Sequence, residues 1–174
     1  MSDVDKTTPN SLNDDVLATA MKSGMRHLAS GVALMATRDA RGEAQGMTVT
    51  AVNSLSDQPP SLLVCLNRST SSLRALKESK EFSINLLNAN QRELSEKFAF
   101  SAEGESRFSF GQWLQHGDFS PPYLQDALVS FFCHVDRFID YGSHCIVIGC
   151  IEEVLAAEDR EPLIYYDGGY RTLR

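Results

Sequence analysis

The sequence predicts a mainly β protein, an antiparallel barrel with short peripheral helices, on three observations. Runs of strand character recur at short spacing: VALMAT at 32–37, a Thr- and Val-rich stretch at 44–54, SLLVCLN at 61–67 and EFSINLL at 81–87. Two long apolar runs, ALVSFFCHVDRF and HCIVIGCIEEVLAAE, then follow one another. The last segment, EPLIYYDGGYRTL, has the form of a hairpin turning at Asp167-Gly168-Gly169. Strands of this number and size, joined by tight turns and short helices, pack as a barrel with helical inserts.

Each element has its own local reason. Residues 1–12 are polar and form a flexible N-terminal tail. Asn13 suits the cap of a helix, with Asp14 and Asp15 against its positive end. Leu17, Met21, Gly24 or Met25, and Leu28 then recur at three- and four-residue steps, so one helix face is apolar, and Gly31 suits the C-cap. Arg41-Gly42 marks a turn. Pro59-Pro60 stops any helix and leads into the buried strand 61–67. Ser69–Lys80 is a short helix with Leu73 and Leu76 inward, and Gln91–Phe98 is helical again. Residues 100–125, rich in Gly, Ser and Pro, form loop with a little helix. There is no repeat and no linker, so residues 13–174 make one domain.

Composition narrows the function. A chain of 174 residues is one ordinary domain, long enough to need no disulfide or metal for its core. Its formal charge of -7, from 16 basic and 23 acidic residues, argues against a nucleic-acid backbone as partner. Cys65, Cys133, Cys145 and Cys150 sit singly in apolar runs without a C-x-x-C pair, as free buried thiols in a reducing compartment do. The N-terminus lacks a basic-then-apolar signal, and no stretch reaches the ~20 apolar residues that cross a bilayer. The expected location is the cytoplasm, with no membrane partner.

Two segments carry candidate chemistry. In GMTVTAVNS, residues 46–54, a strand would put Thr48, Thr50, Val52 and Ser54 on one face and Met47, Val49, Ala51 and Asn53 on the other. Hydroxyls at this density suit a flat, heteroatom-rich ring, but Thr is also an ordinary strand former. In LNRSTSS, residues 66–72, four hydroxyls precede a helix whose first N–H groups lack helical partners. That is an anion seat or a helix cap, and the residues leave both open. No G-x-G-x-x-G follows a strand, so a dinucleotide would need another surface. His144 lies at the mouth of an apolar strand, where structural and functional roles both remain open. His27, His116 and His134 have no motif company, and Glu152-Glu153 fits a solvated strand end. Trp113 with Phe108 and Phe110 suits packing under a loop, while Tyr165, Tyr166 and Tyr170 could border a pocket.

The order of these motifs resembles the short-chain flavin reductase family. The pattern is a G-x-T-x-[ST]-A run, a Pro-Pro pair, and an apolar strand ending Cys-Leu-Asn, here GMTVTAVNSLSDQPPSLLVCLN at 46–67. Thr70 with Ser72, FSINLL, Phe98-Ala99, Arg107-Phe108, Gly142-Ser143-His144, PLIY at 162–165 and Tyr170 follow in the family's order. The resemblance implies a split β-barrel, a homodimer binding FMN or FAD near its interface, and NADH or NADPH as hydride donor. It implies a reductase that supplies reduced flavin to a partner monooxygenase. By position, Thr48, Val49, Thr50, Ala51, Asn53 and Ser54 would edge the flavin ring. Asn67, Thr70 and Ser72 would hold its ribityl and phosphate groups, with Arg107 as a cationic partner. His144 and Tyr170 would bind nicotinamide, and no residue is expected to be catalytic in its own right. Three positions depart from the pattern: Ser143 replaces Asp, Val49 replaces Ala, and Phe100 replaces Gly. Ser143 and Val49 also leave room for a flavin-binding barrel that senses, stores or carries flavin without turning over nicotinamide.

Overall fold

A computed structural model describes residues 11–100, 106–157 and 160–173. Helix α1 spans Ser11–Met25 and is followed by β1 (Ser30–Gly31), β2 (Ala33–Arg38), β3 (Ala44–Val49), β4 (Val52–Asp57) and β5 (Pro60–Asn67). Next come α2 (Ser71–Ser79), β6 (Glu81–Leu86) and α3 (Arg92–Phe100). The chain ends with β7 (Trp113–His116), β8 (Phe119–Leu124), β9 (Val129–Tyr141), β10 (His144–Ala156), β11 (Ile164–Tyr166) and β12 (Gly169–Arg171).

The main sheet has the order β3-β2-β6-β9-β10-β5-β4, and every pairing in it is antiparallel. Its two edge strands, β3 and β4, are consecutive in the chain with only Thr50 and Ala51 between them. A sheet whose edges are tied this closely must curl round its own core. This is the split barrel, mainly β with few helices. Inside lie Met35, Val49, Val64, Leu66, Phe82, Ile84 and Val147, all buried, with Leu73 and Leu76 of α2 closing one end. A second core under α3 joins Val32, Leu34, Leu87, Phe98 and Leu163. There Phe98, Phe108 and Trp113 pack ring on ring, 4.7–5.3 Å apart.

Buried polarity is satisfied locally. Asn85, fully buried on β6, donates to the Leu34 carbonyl and the Ser83 hydroxyl. Its carbonyl oxygen accepts from Leu124 N–H at 2.9 Å and from the Ser130 hydroxyl at 2.8 Å. One side chain therefore binds four elements. Gly149 on β10 leaves room for Phe82, since a Cβ there would lie 2.4 Å from the ring. All four cysteines are free thiols.

Several expectations change. Of the tail expected over residues 1–12, residues 1–10 lie outside the described residues and Ser11 and Leu12 belong to the helix, which begins at Ser11, so Asn13 lies in its first turn rather than at its cap. Gly31 belongs to β1 instead of capping the helix, which ends at Met25. The apolar face of α1 exists but is exposed: Val16, Leu17, Met21 and Met25, with Leu28 just beyond the helix, are 55–68 % exposed. Residues 113–124 form the β7–β8 hairpin where loop was expected, and residues 101–105 lie outside the described residues. Glu152 and Glu153 are more than a solvated strand end, because they pair with His134 at 2.6 Å and His116 at 2.8 Å.

Candidate functional site

The stretch expected as one strand bends at Thr50–Ala51, and the bend builds the site. Alternation along β3 sends Met47 and Val49 into the barrel core and Thr48 toward α3. Val49 is 5 % exposed, so its side chain packs in the core, and only its backbone can face a ligand. Thr48 donates its hydroxyl to the Ser95 carbonyl at 2.7 Å, fixing α3 over β3. Beyond the bend the Ala51 carbonyl accepts the Cys65 N–H at 3.1 Å, which starts the β4–β5 ladder. Thr50, Ala51, Asn53 and Ser54 are left exposed along this edge.

Two grooves meet on that edge. One, of about 720 Å³, includes Val32, Thr48, Thr50, Arg92, Tyr165 and Tyr170 in its lining. The other, of about 640 Å³, runs between α1 and the segment Thr50–Asn53. Thr50 and Tyr165 line both. Tyr165 and Tyr170 pack edge to face at 5.4 Å, and the Arg92 guanidinium lies 5.4 Å from the Tyr170 ring centre. Tyr170 is held by a 2.9 Å bond to the Ser95 hydroxyl. Volumes of this size, with aromatic walls and a few hydroxyl and amide groups, suit a planar amphipathic ligand.

The hydroxyl run after β5 folds on itself. The Asn67 side-chain oxygen accepts both the N–H and the hydroxyl of Ser69 at 2.9 Å. Thr70 donates to the Asn67 carbonyl at 2.8 Å and caps α2 by accepting the Leu73 N–H at 3.3 Å. Ser72 is 1 % exposed. These contacts realise the capping role. Asn67 lies two residues beyond Cys65, whose N–H meets the Ala51 carbonyl, and pairs with His144 across β5–β10.

Arg107 and His144 stand elsewhere. Arg107 donates to the Gly46 carbonyl at 2.8 Å and so ties the turn at 107–109 to β3. His144 is exposed at the start of β10, its Nδ1 2.8 Å from the Ser143 hydroxyl. Its hairpin is pinned by Arg68, which donates to the Gly142 carbonyl and faces Asp140. Asp140 is held below the usual carboxylate range by a hydrogen bond from the Cys145 thiol, with Lys77 and Arg68 adding their charge. Within one chain, then, Tyr170 shares a groove with Thr48 and Thr50, and His144 does not line it. Sequence reasoning missed Ser95 and the α1 wall. The stripe Met21, Met25 and Leu28 was the available signal for that wall, but it showed only that one helix face is apolar.

The comparisons agree with this architecture. The family model described as "flavin reductase like domain" matches residues 25–174. An FMN reductase (NADH) RutF of Agrobacterium fabrum is 38% identical over 154 residues, covering 87% of this chain and 86% of its own. One from Enterobacter sp. is 34% identical, covering 87% of this chain and 92% of its own. The solved flavin reductase PheA2 superposes with a TM-score of 0.81 at 28% identity, over 90% of this chain and 97% of that one. A family match across nearly the whole chain, on a split barrel with grooves along the Thr48–Asn53 edge, leads to one conclusion: the chain belongs to the flavin reductase like domain family and is an oxidoreductase.

Proposed function

We propose that this protein is an NADH-dependent reductase of FMN or FAD. The observation that carries the reading is the bend at Thr50–Ala51, where two grooves converge on Thr50 and Tyr165, one of them lined also by Tyr170 and the other by Asn53. The residues fit a flavin by their chemistry: hydroxyl and amide groups for ring heteroatoms, aromatic and aliphatic walls for its apolar edge. Bound flavin supplies the acceptor for a hydride from reduced nicotinamide. The chain's own work is to hold both rings face to face and exclude water.

In this reading Thr48, Thr50, Ala51, Asn53 and Ser54, with the backbone of Val49, edge the ring. Asn67 and Thr70 border the ribityl and phosphate end, and Ser72, buried in the first turn of α2, supports them from behind. Arg107 acts on the site through β3. Tyr170 and His144 serve the nicotinamide, with NADPH as an alternative donor.

The protein works as a homodimer that passes reduced flavin to a separate monooxygenase in the cytoplasm. Support for the dimer comes from the outer face of the barrel. Asn53, Leu63, Ile148 and Arg137 lie in one cross-strand row, and Cys65, Ile146 and Ile139 in the next. Val147 between Ile146 and Ile148 points into the core, so these isoleucines face outward, and Ile139 is 42 % exposed. Sedimentation should give twice the chain mass, and Ile146→Glu should give the single-chain mass with weaker flavin binding. A monomeric wild type would overturn the dimer.

The site itself is tested by Thr50→Val with Asn53→Ala. Loss of two neutral hydrogen bonds is worth about 1–3 kcal/mol, or roughly five- to 150-fold in flavin affinity. Unchanged flavin titration would move the ring elsewhere.

A further inference from the structure

We infer that the groove between α1 and Thr50–Asn53 seats the pyrophosphate of the nicotinamide dinucleotide, held by Lys22 and Arg26. This rests on the reductase reading above. The chain as a whole is acidic, with a formal charge of -7. The lining of this groove nevertheless includes Lys22 and Arg26 and no carboxylate. Lys22 and Arg26 are four residues apart, and the Arg26 N–H reaches back to the Lys22 carbonyl at 3.3 Å, so the two share one face of the helix end.

The two cations differ in restraint. Arg26 is anchored to the β11–β12 turn. Its Nη2 donates to the Asp167 carbonyl at 3.3 Å, its Nε lies 3.5 Å from the Asp167 carboxylate, and its own carbonyl accepts the Asp167 N–H at 2.8 Å. A guanidinium has more N–H donors than these contacts use, so Arg26 is oriented without being saturated. Gly168 makes the anchorage possible, since a Cβ there would lie 2.4 Å from Nη2. Lys22 has no carboxylate partner among the described residues, and supplies a mobile second charge.

Location selects the occupant. The groove shares Thr50 and Tyr165 with the neighbouring groove, so a ligand in it abuts the ring seat. The phosphate end of the flavin is assigned to Asn67–Ser72, beyond β5. The α1 side is thereby left to the second substrate. Met21, Met25 and Leu28, exposed beside the two cations, offer apolar surface to its nucleoside part.

The test is calorimetric titration of NAD+ and of FMN, separately, into full-length wild type, Lys22→Glu, Lys22→Arg and Lys22→Ala with Arg26→Ala. Michaelis constants for NADH are measured at saturating FMN. Losing a charge-assisted contact should weaken NAD+ binding and raise the Michaelis constant for NADH about tenfold or more. FMN affinity should stay within about twofold, Lys22→Arg should restore NAD+ affinity, and added salt should weaken NAD+ binding more in wild type than in the double variant. Unchanged NAD+ affinity in Lys22→Glu, an exposed site where folding is not at stake, would overturn the inference. An equal fall in FMN affinity would overturn it too, giving the groove to the flavin phosphate. A wild type that oxidises neither nicotinamide would instead remove the reductase reading on which it rests.

Discussion

The hydroxyls of Tyr170 and Ser95 stand 2.9 Å apart and join the last strand of the chain to α3 across one groove. The Ser95 carbonyl also accepts the Thr48 hydroxyl, so β3, α3 and β12 are held together beside the bend at Thr50. Tyr170→Phe removes one neutral bond and leaves the fully buried Ser95 hydroxyl without that partner. Urea unfolding should show a loss of about 1 kcal/mol. Ser95→Ala should cost about as much, and the double variant should cost less than the sum of the two. Strict additivity would mean the two hydroxyls are not coupled.

Asn85 binds β2, β8 and β9 to its own strand through four hydrogen bonds. Asn85→Ala would leave the Leu124 N–H and the Ser130 hydroxyl buried without that acceptor. The expected cost is about 3–5 kcal/mol, well above that of Tyr170→Phe. Chemical denaturation of the two variants side by side checks the ranking, and a loss below that of Tyr170→Phe would contradict it.

Much of this was legible in the sequence because it is local. Apolar runs located β2, β5, β9 and β10 and the alternation of EFSINLL located β6, and the hydroxyl run STSS holds Thr70, the cap of α2. The terminal hairpin followed from Asp167-Gly168, both in the left-handed region that such a turn requires. What was illegible is long-range. Ser95 and Tyr170 lie 75 residues apart. The Thr–Val alternation slips at Ala51-Val52, two apolar residues in succession, but one slip does not by itself tell a bend from a continuous strand, and so the separation of Thr48 from Asn53 stayed hidden. Periodicity showed that α1 has an apolar face but could not show that this face is exposed. The β7–β8 hairpin was hidden by Pro121-Pro122, which reads as loop but is tolerated on an edge strand.

Gly149 stands where β10 approaches the ring of Phe82, itself fully buried. Gly149→Ala should destabilise by about 1–3 kcal/mol through overpacking, in spite of Ala's smaller backbone entropy cost. Pairing it with Phe82→Leu should recover part of the loss. A thermal midpoint unchanged by Gly149→Ala would show that the ring yields freely.

Burial, with the neighbouring Cys150 and Glu152, pushes the Cys133 thiol from about 9.0 up to about 12. A raised pKa means the folded state keeps the proton while the unfolded state loses it. Stability contributed by this group is therefore present below pH 9 and falls as pH rises from about 9 toward 12. Cys133→Ala should flatten the alkaline limb of a stability–pH curve. At pH 8 a thiol reagent should label the half-buried Cys65 and Cys150 well before Cys133. Early labelling of Cys133 in the native protein would contradict this.

On the proposed function, the Thr50–Asn53 edge brings a flavin and a reduced nicotinamide together. Initial rates of NADH and NADPH oxidation by purified protein, each with FMN and with FAD, test it most directly. The expected result is saturable, flavin-dependent oxidation, faster with NADH, and a raised Michaelis constant for flavin in Thr50→Val with Asn53→Ala. No flavin-dependent oxidation in any of the four pairs, with flavin nonetheless bound, would contradict it and leave a barrel that carries flavin without reducing it.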